Sequence, residues 1–236
     1  MSRLAHLRGR LAHELDRRPT VRAVAPGLLL VFGGVLAFAG LLDAVWENDD
    51  VSLFDQPVLA ALVASRGALA TAIFGVITAV SGPIVLPAIV AVACLTWARV
   101  RHEWWRPLLL MGAMVTSTAI SVAIKGIVAR PRPPLDTMVV PGAEMSASFP
   151  SGHTIGAATL LLVTWYLVVR RYRSTARQVG WAVGTVVGTL AVGLSRMYLG
   201  YHFLTDVLAA IALAVAILGV VTIVDRLHTL RGRPQR

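Results

Sequence analysis

The chain has 236 residues, 56% of them hydrophobic and 14% charged, with a mean hydropathy of +0.72. A soluble domain of this length needs more charge on its surface, so the composition excludes one and indicates a multi-pass α-helical membrane protein with one compact domain. The formal charge of +10 would raise nucleic acid as a partner in a soluble protein; here the arginines sort by side of a membrane, and no nucleic-acid partner is expected.

Residues 1–23 are arginine-rich and lack an apolar core. No small-residue cleavage site follows a short apolar region, so a basic cytoplasmic segment is expected rather than a cleaved signal. Residues 24–45 read as a first membrane span. The stretch WENDDVSLFDQ (46–56) is acidic. Residues 57–80 are apolar around Arg66 and read as an interfacial helix leading into the bilayer. Ser81-Gly82-Pro83 then breaks the pattern before a second span over 82–98; one long kinked helix is the alternative. Trp104 and Trp105 suit an interface belt in a short basic loop. A third span follows over 107–128, a Pro-rich polar loop over 129–150, a fourth span over 151–169, and the basic loop RRYRSTAR (170–177). A fifth span over 178–194, the short connection SRMYLGYH (195–202), a sixth span over 203–224 and a basic tail (226–236) complete the chain. The expected fold class is all-α: a polytopic membrane bundle of six transmembrane helices with an outer interfacial helix, occupying 24–225 as one domain. The single cysteine, Cys94, has no disulfide or metal partner and reads as a small apolar side chain.

Six spans return both termini to one side. The N-terminal segment carries six arginines, the 99–106 loop three, the 170–177 loop four and the tail four, against five Lys or Arg elsewhere. The positive-inside rule then puts both termini in the cytoplasm and the 46–56, 129–150 and 195–202 segments outside, as expected of a plasma or inner membrane protein. Yet four of the five outward cations, Lys125, Arg130, Arg132 and Arg196, lie near polar stretches holding histidines, all at the outer ends of the third to sixth spans.

His6, His13, His102 and His228 sit in arginine-rich segments and read as solvated surface residues. His153 and His202 each open a membrane helix on the outer side. His202 and Asp206 are four residues apart, on one helical face. Asp206 can hold one imidazole nitrogen and leave the other free as a nucleophile, or the pair can simply satisfy itself at the helix start. Ser151 suits an N-cap after Pro150, and the helix start is a ready anion site where Gly152 allows close approach; an ordinary capped helix is the plainer alternative. Lys125, the only lysine, could be a snorkelling anchor, as could Arg130, Arg132 and Arg196. Together they exceed what the outer face should carry, and a multiply charged tetrahedral oxyanion accounts for them.

Three groups of residues then carry a resemblance. Lys125…Arg132-Pro133 matches K-x6-R-P, Pro150-Ser151-Gly152-His153 matches P-S-G-H, and Ser195-Arg196…His202…Asp206 matches S-R-x5-H-x3-D. In order and spacing the sequence resembles the type-2 phosphatidic acid phosphatase superfamily. Arg130-Pro131 is a second Arg-Pro pair, but the family spacing selects Arg132. The resemblance implies that His202 attacks phosphorus to form a phosphohistidine, that Asp206 orients it, and that His153 serves as general acid and then base. It also implies that Lys125, Arg132, Ser151, Gly152 and Arg196 hold the phosphoryl oxygens. Phosphoryl transfer needs positioning and charge stabilisation, so neither metal nor cofactor is expected. A membrane lipid phosphate or diphosphate is the expected substrate; undecaprenyl diphosphate is an alternative the motifs do not separate. A transporter is disfavoured because the span centres lack ionisable groups. A non-catalytic scaffold is disfavoured because every motif position is chemically competent.

Overall fold

The computed structural model describes residues 19–169, 172 and 174–232; the expectations for 1–18, for Arg170, Arg171 and Arg173, and for 233–236 lie outside the described residues. Eight α-helices are present among the described residues, and no strand: α1 Pro19–Glu47, α2 Asp55–Ala64, α3 Ala68–Val80, α4 Val85–Arg101, α5 Trp105–Val128, α6 Gly152–Leu167, α7 Thr175–Tyr198 and α8 Leu204–Arg231. Short 3₁₀ turns occupy Asp50–Phe54 and Leu135–Thr137.

Helix ends follow local chemistry. Ala129 closes α5 in the left-handed conformation, and Pro131, Pro133 and Pro134 prevent any continuation. Ser151 caps α6 by accepting from the Thr154 amide at 3.4 Å.

Four helices, α1, α5, α7 and α8, are long and apolar enough to cross a bilayer, and α3 with α4 makes a fifth candidate bent by 53° at residues 81–84. A helix of 24 residues, such as α5, is about 36 Å long, enough for the hydrocarbon core. The bend sits where Ser81-Gly82-Pro83 breaks the pattern, and a further break at 65–67 separates α2 from α3. At 16 residues α6 is shorter than the span expected over 151–169. Buried among α5, α7 and α8, it meets protein rather than lipid over much of its surface. The protein is thus a multi-pass membrane protein of all-helical fold.

The central helix is α8, buried on most of its circumference through Ala209, Ala210, Ala214, Ile217 and their neighbours. Small residues let α1 approach it closely. A Cβ on Gly34 would meet the Ala212 carbonyl at 2.6 Å, and one on Gly219 would meet the Gly27 carbonyl at the same distance. Large apolar side chains such as Leu29, Phe32 and Val183 point outward, as a lipid-facing surface requires. At the α7–α8 connection Gly200 has φ +80° and any Cβ would collide with the Thr137 carbonyl. Arg66 locks the same corner by donating to the carbonyls of Tyr198 (2.8 Å) and Thr137 (2.6 Å).

Candidate active site

All eight residues singled out by the motifs gather at one end of the bundle. His202 lies in the α7–α8 connection, held there by the turn at Gly200, and is fully buried. Its Nδ1 is 3.2 Å from Asp206 Oδ2 on the first turn of α8. Asp206 serves two purposes at once. The same Oδ2 accepts from the Phe203 amide at 2.9 Å, capping α8, and from the Ser148 hydroxyl, while Oδ1 accepts from Arg130 Nη1 at 2.6 Å. The imidazole tautomer follows: Nδ1 carries the proton donated to Asp206, and Nε2 faces the cluster with a free lone pair. Burial is the largest influence on His202 and pushes it down to about 4 against the pull of Asp206, so the ring is neutral at physiological pH.

Around Nε2 stand the cations. Arg132 Nη1 is 3.4 Å from it and also donates to the Tyr201 carbonyl at 2.8 Å. Arg196, 1% exposed, reaches in from α7 with its guanidinium 4.6 Å above the Tyr201 ring. Its Nη1 donates to Thr78 Oγ1 on α3. The helix break beyond α3 packs beside the site: a Cβ on Gly82 would lie 3.8 Å from His153 Nε2. His153, on the first turn of α6, completes the ring.

The centre of this ring holds a carboxylate that no motif contains. Glu144 pairs with Arg132 at 2.7 Å and with Arg196, 4.0 Å from His153 Nδ1 and 3.9 Å from His202 Nε2. Burial alone would raise its carboxyl, yet the guanidinium groups of Arg196 and Arg132 bring it below the usual carboxylate range. The cluster is built to stabilise negative charge.

The remaining residues adjust the reading. Ser151 Oγ is committed to Thr154, as its side chain and as the helix cap, and its amide donates to the Asp206 carbonyl at 3.1 Å. Lys125 spends its ammonium on the Ala147 and Ser148 carbonyls, pinning the loop that carries Glu144. The protein leaves room for a Cβ at Gly152, whose nearest contact would be Ser121 Oγ at 3.8 Å, so packing does not account for the glycine. Ser195 turns back onto its own helix. Among the described residues no group of three or more His, Cys, Asp or Glu side chains is placed to hold a metal ion.

A family model for the PAP2 superfamily matches residues 106–229. The chain belongs to the PAP2 superfamily. Among PAP2 relatives, phosphatidylglycerophosphatase B of Bacillus subtilis (strain 168) is 34% identical over 114 residues, 48% of this chain and 54% of that protein. Undecaprenyl-diphosphatase BcrC of the same organism is 31% identical over 107 residues, 44% of this chain and 49% of that protein. The chain thus matches about half the length of these curated relatives. The crystal structure of a transmembrane PAP2 type phosphatidylglycerolphosphate phosphatase from Bacillus subtilis shares the fold, with a TM-score of 0.72 and 24% identity over 87% of this chain and all of that one. Aquifex aeolicus LpxE aligns with a TM-score of 0.54 and 20% identity over 72% of this chain and 94% of that one.

Four residues of this cluster were missed in the sequence reading: Glu144, Ser148, Asp55, and Arg130 in its actual role. Asp55 sits at the start of α2, 150 residues before its partner Thr205, whose amide and hydroxyl it accepts at 2.9 and 2.7 Å. It also pairs with Arg130 at 2.6 Å. Arg130 therefore bridges two buried carboxylates, Asp55 and Asp206, while Arg132 faces the ring, and the two Arg-Pro pairs have separate tasks. The only signal in the sequence was the unexplained second pair.

Proposed function

We propose that the protein is an integral membrane phosphatase that hydrolyses a lipid phosphate or diphosphate through a phosphohistidine intermediate. The observation that carries this reading is the orientation of His202: Asp206 holds Nδ1, and Nε2 faces a buried ring of two arginines and a second histidine that already accommodates an anion. His202 Nε2 attacks phosphorus, the bond to the leaving oxygen breaks, and His153 delivers a proton to that oxygen. His153 then takes a proton from water, which attacks the phosphohistidine; the P–N bond breaks and phosphate leaves. Arg132 and Arg196 stabilise the oxygens as charge develops, and the α6 N-terminus at Gly152 adds its dipole. Lys125 and Ser151 act at one remove, holding the loop and the helix start. The reading needs no metal.

We place the site on the extracytoplasmic side of a six-span bundle with both termini in the cytoplasm, α6 being one span and α3–α4 another; the arginine distribution supports this. In a Cys94→Ala background, a cysteine at Asp136 should react with an impermeant outside reagent and one at Ser174 should not; the reverse overturns the orientation.

The phosphatase reading is tested by phosphate release from detergent-purified protein with phosphatidic acid, phosphatidylglycerol phosphate and undecaprenyl diphosphate, with chelator present. Release that persists undiminished in His202→Ala would sink it. Similarity to a protein named undecaprenyl-diphosphatase favours the polyisoprenoid carrier as a second reading, and the same panel separates the two.

A further inference from the structure

Glu144 is held by groups that have no use for a carboxylate in the proposed reaction. Arg132, Arg196, His153 and His202 are the side chains that would grip, protonate and attack a phosphoryl group, and all four lie within 4.0 Å of its two oxygens. Arginine recognises carboxylate and phosphoryl oxygens with the same donor fork, so the Glu144 oxygens stand where two phosphoryl oxygens would sit. Carboxylate and substrate exclude each other there.

The chain before Glu144 is lightly held, while Lys125 and Arg132 hold residues 146–148 on its other side. Residues 139–143, Met145 and Ser146 are exposed, with Glu144 the one side chain among them turned inward. Among the described residues, backbone hydrogen bonds tie this segment at Val139 to Leu199 and at Ser148 to Arg130, with one internal bond from Ala143 to Val140. Gly142 turns the chain at φ +73° just before. A cavity of about 570 Å³ lies between residues 129–135 and 144–147 and has Glu144 in its wall. The carboxylate can withdraw to that side without entering lipid.

Buried guanidinium groups are costly when left without a counter-charge, and Glu144 supplies one in the free protein. A ligand bearing a single charge replaces one carboxylate with another monoanion and gains nothing, while the tether favours Glu144 through its high effective concentration. A ligand bearing two charges gains a further interaction with the ring. We infer that Glu144 is an internal occupant of the phosphoryl site that each substrate displaces, and that it selects terminal, doubly charged phosphoryl groups over phosphodiesters. This rests on the phosphatase reading above. Phosphodiester headgroups, which dominate a phospholipid bilayer, are thereby refused at the ring even where their tails have access.

The test uses the full chain in detergent and two probes: molybdate, a tetrahedral dianion, and dimethyl phosphate, a diester monoanion. Glu144→Gln keeps the shape and removes the charge. If Glu144 occupies the site nine-tenths of the time, its neutralisation tightens molybdate binding about tenfold by calorimetry. Dimethyl phosphate should compete with molybdate in Glu144→Gln and not in the wild type. Glu144→Ala, with the same expectation, serves should the glutamine variant fail to purify folded. Unchanged or weaker molybdate binding in the variants, with the wild type binding, overturns the inference and leaves the phosphatase reading standing. Equal competition by dimethyl phosphate in the wild type overturns the charge selection. Failure of every protein to bind molybdate removes the oxyanion site itself, and the inference with it.

Discussion

The bundle carries a polar network at each end, built largely on the same helices: part-buried around Asp225 and buried around Asp206. At one end, α5, α6 and α8 are joined by Asp225, which accepts from Trp105 Nε1 and from the Tyr166 hydroxyl, both at 3.1 Å, while Trp105 stacks on His228 at 3.7 Å between ring centroids. At the other, Asp206 is held by His202, Ser148, Arg130 and a backbone amide, and the ring of Arg132, Arg196 and His153 closes around Glu144. The first network meets one carboxylate with the neutral donors of Trp105 and Tyr166, and its output is helix packing. The second concentrates like charges that repel one another unless an anion sits between them. That surplus, rather than burial or hydrogen bonding as such, distinguishes a site from a brace.

The largest effect expected from breaking this contrast is at His202. Replacement by alanine should lower phosphate release by roughly a thousandfold or more, because His202 is the imidazole that Asp206 orients with its far nitrogen toward the ring. Full activity would place the nucleophile elsewhere. Next is Arg130. Arg130→Met leaves Asp55 and Asp206 buried and facing each other without a cation, and removing one partner of a buried pair costs about 3–5 kcal/mol. Thermal unfolding should shift down sharply and residual activity should fall about a hundredfold; an unchanged melting curve would show that the bridge carries no load.

A third test concerns pH. His202 is neutral above about 4, so its nucleophilicity is present above that value and is lost as pH falls through it. Titration of His202 by NMR in histidine-labelled protein should place its midpoint near 4; a midpoint at the ordinary value of 6.5 would mean that burial does not control the ring. The smallest effect belongs to the other end. Asp225→Asn keeps the shape and an acceptor, and should cost about 1 kcal/mol of stability with activity per folded molecule unchanged within about twofold. A large loss of turnover there would collapse the distinction between the two networks.

Much of this was legible in the sequence because lipid imposes a strict grammar. Unpaired backbone in hydrocarbon is so costly that an apolar run of sufficient length must be helical, and helices do lie within or around each expected span. The exceptions are informative. The stretch 57–80 divides into α2 and α3 because Arg66 turns outward to the Tyr198 and Thr137 carbonyls and Gly67 donates to the Tyr198 hydroxyl. Such long-range acceptors have no local signature. His228 is exposed as expected, yet stacked on Trp105. His102 is also exposed and ends α4 in the left-handed conformation.

By itself, the sequence determined the all-helical membrane class, the motif residues and their common end of the bundle, since hydrophobic period, span length and motif spacing are local properties. Tertiary structure alone decided which donors those residues spend on one another. It committed Lys125 to loop carbonyls, Ser151 to its helix and Arg130 to two carboxylates, and it carried Asp55 and Glu144 into the network. Neither acid stands in any motif. Their partners lie far along the chain, and a buried charge finds its counter-charge through space, not through sequence.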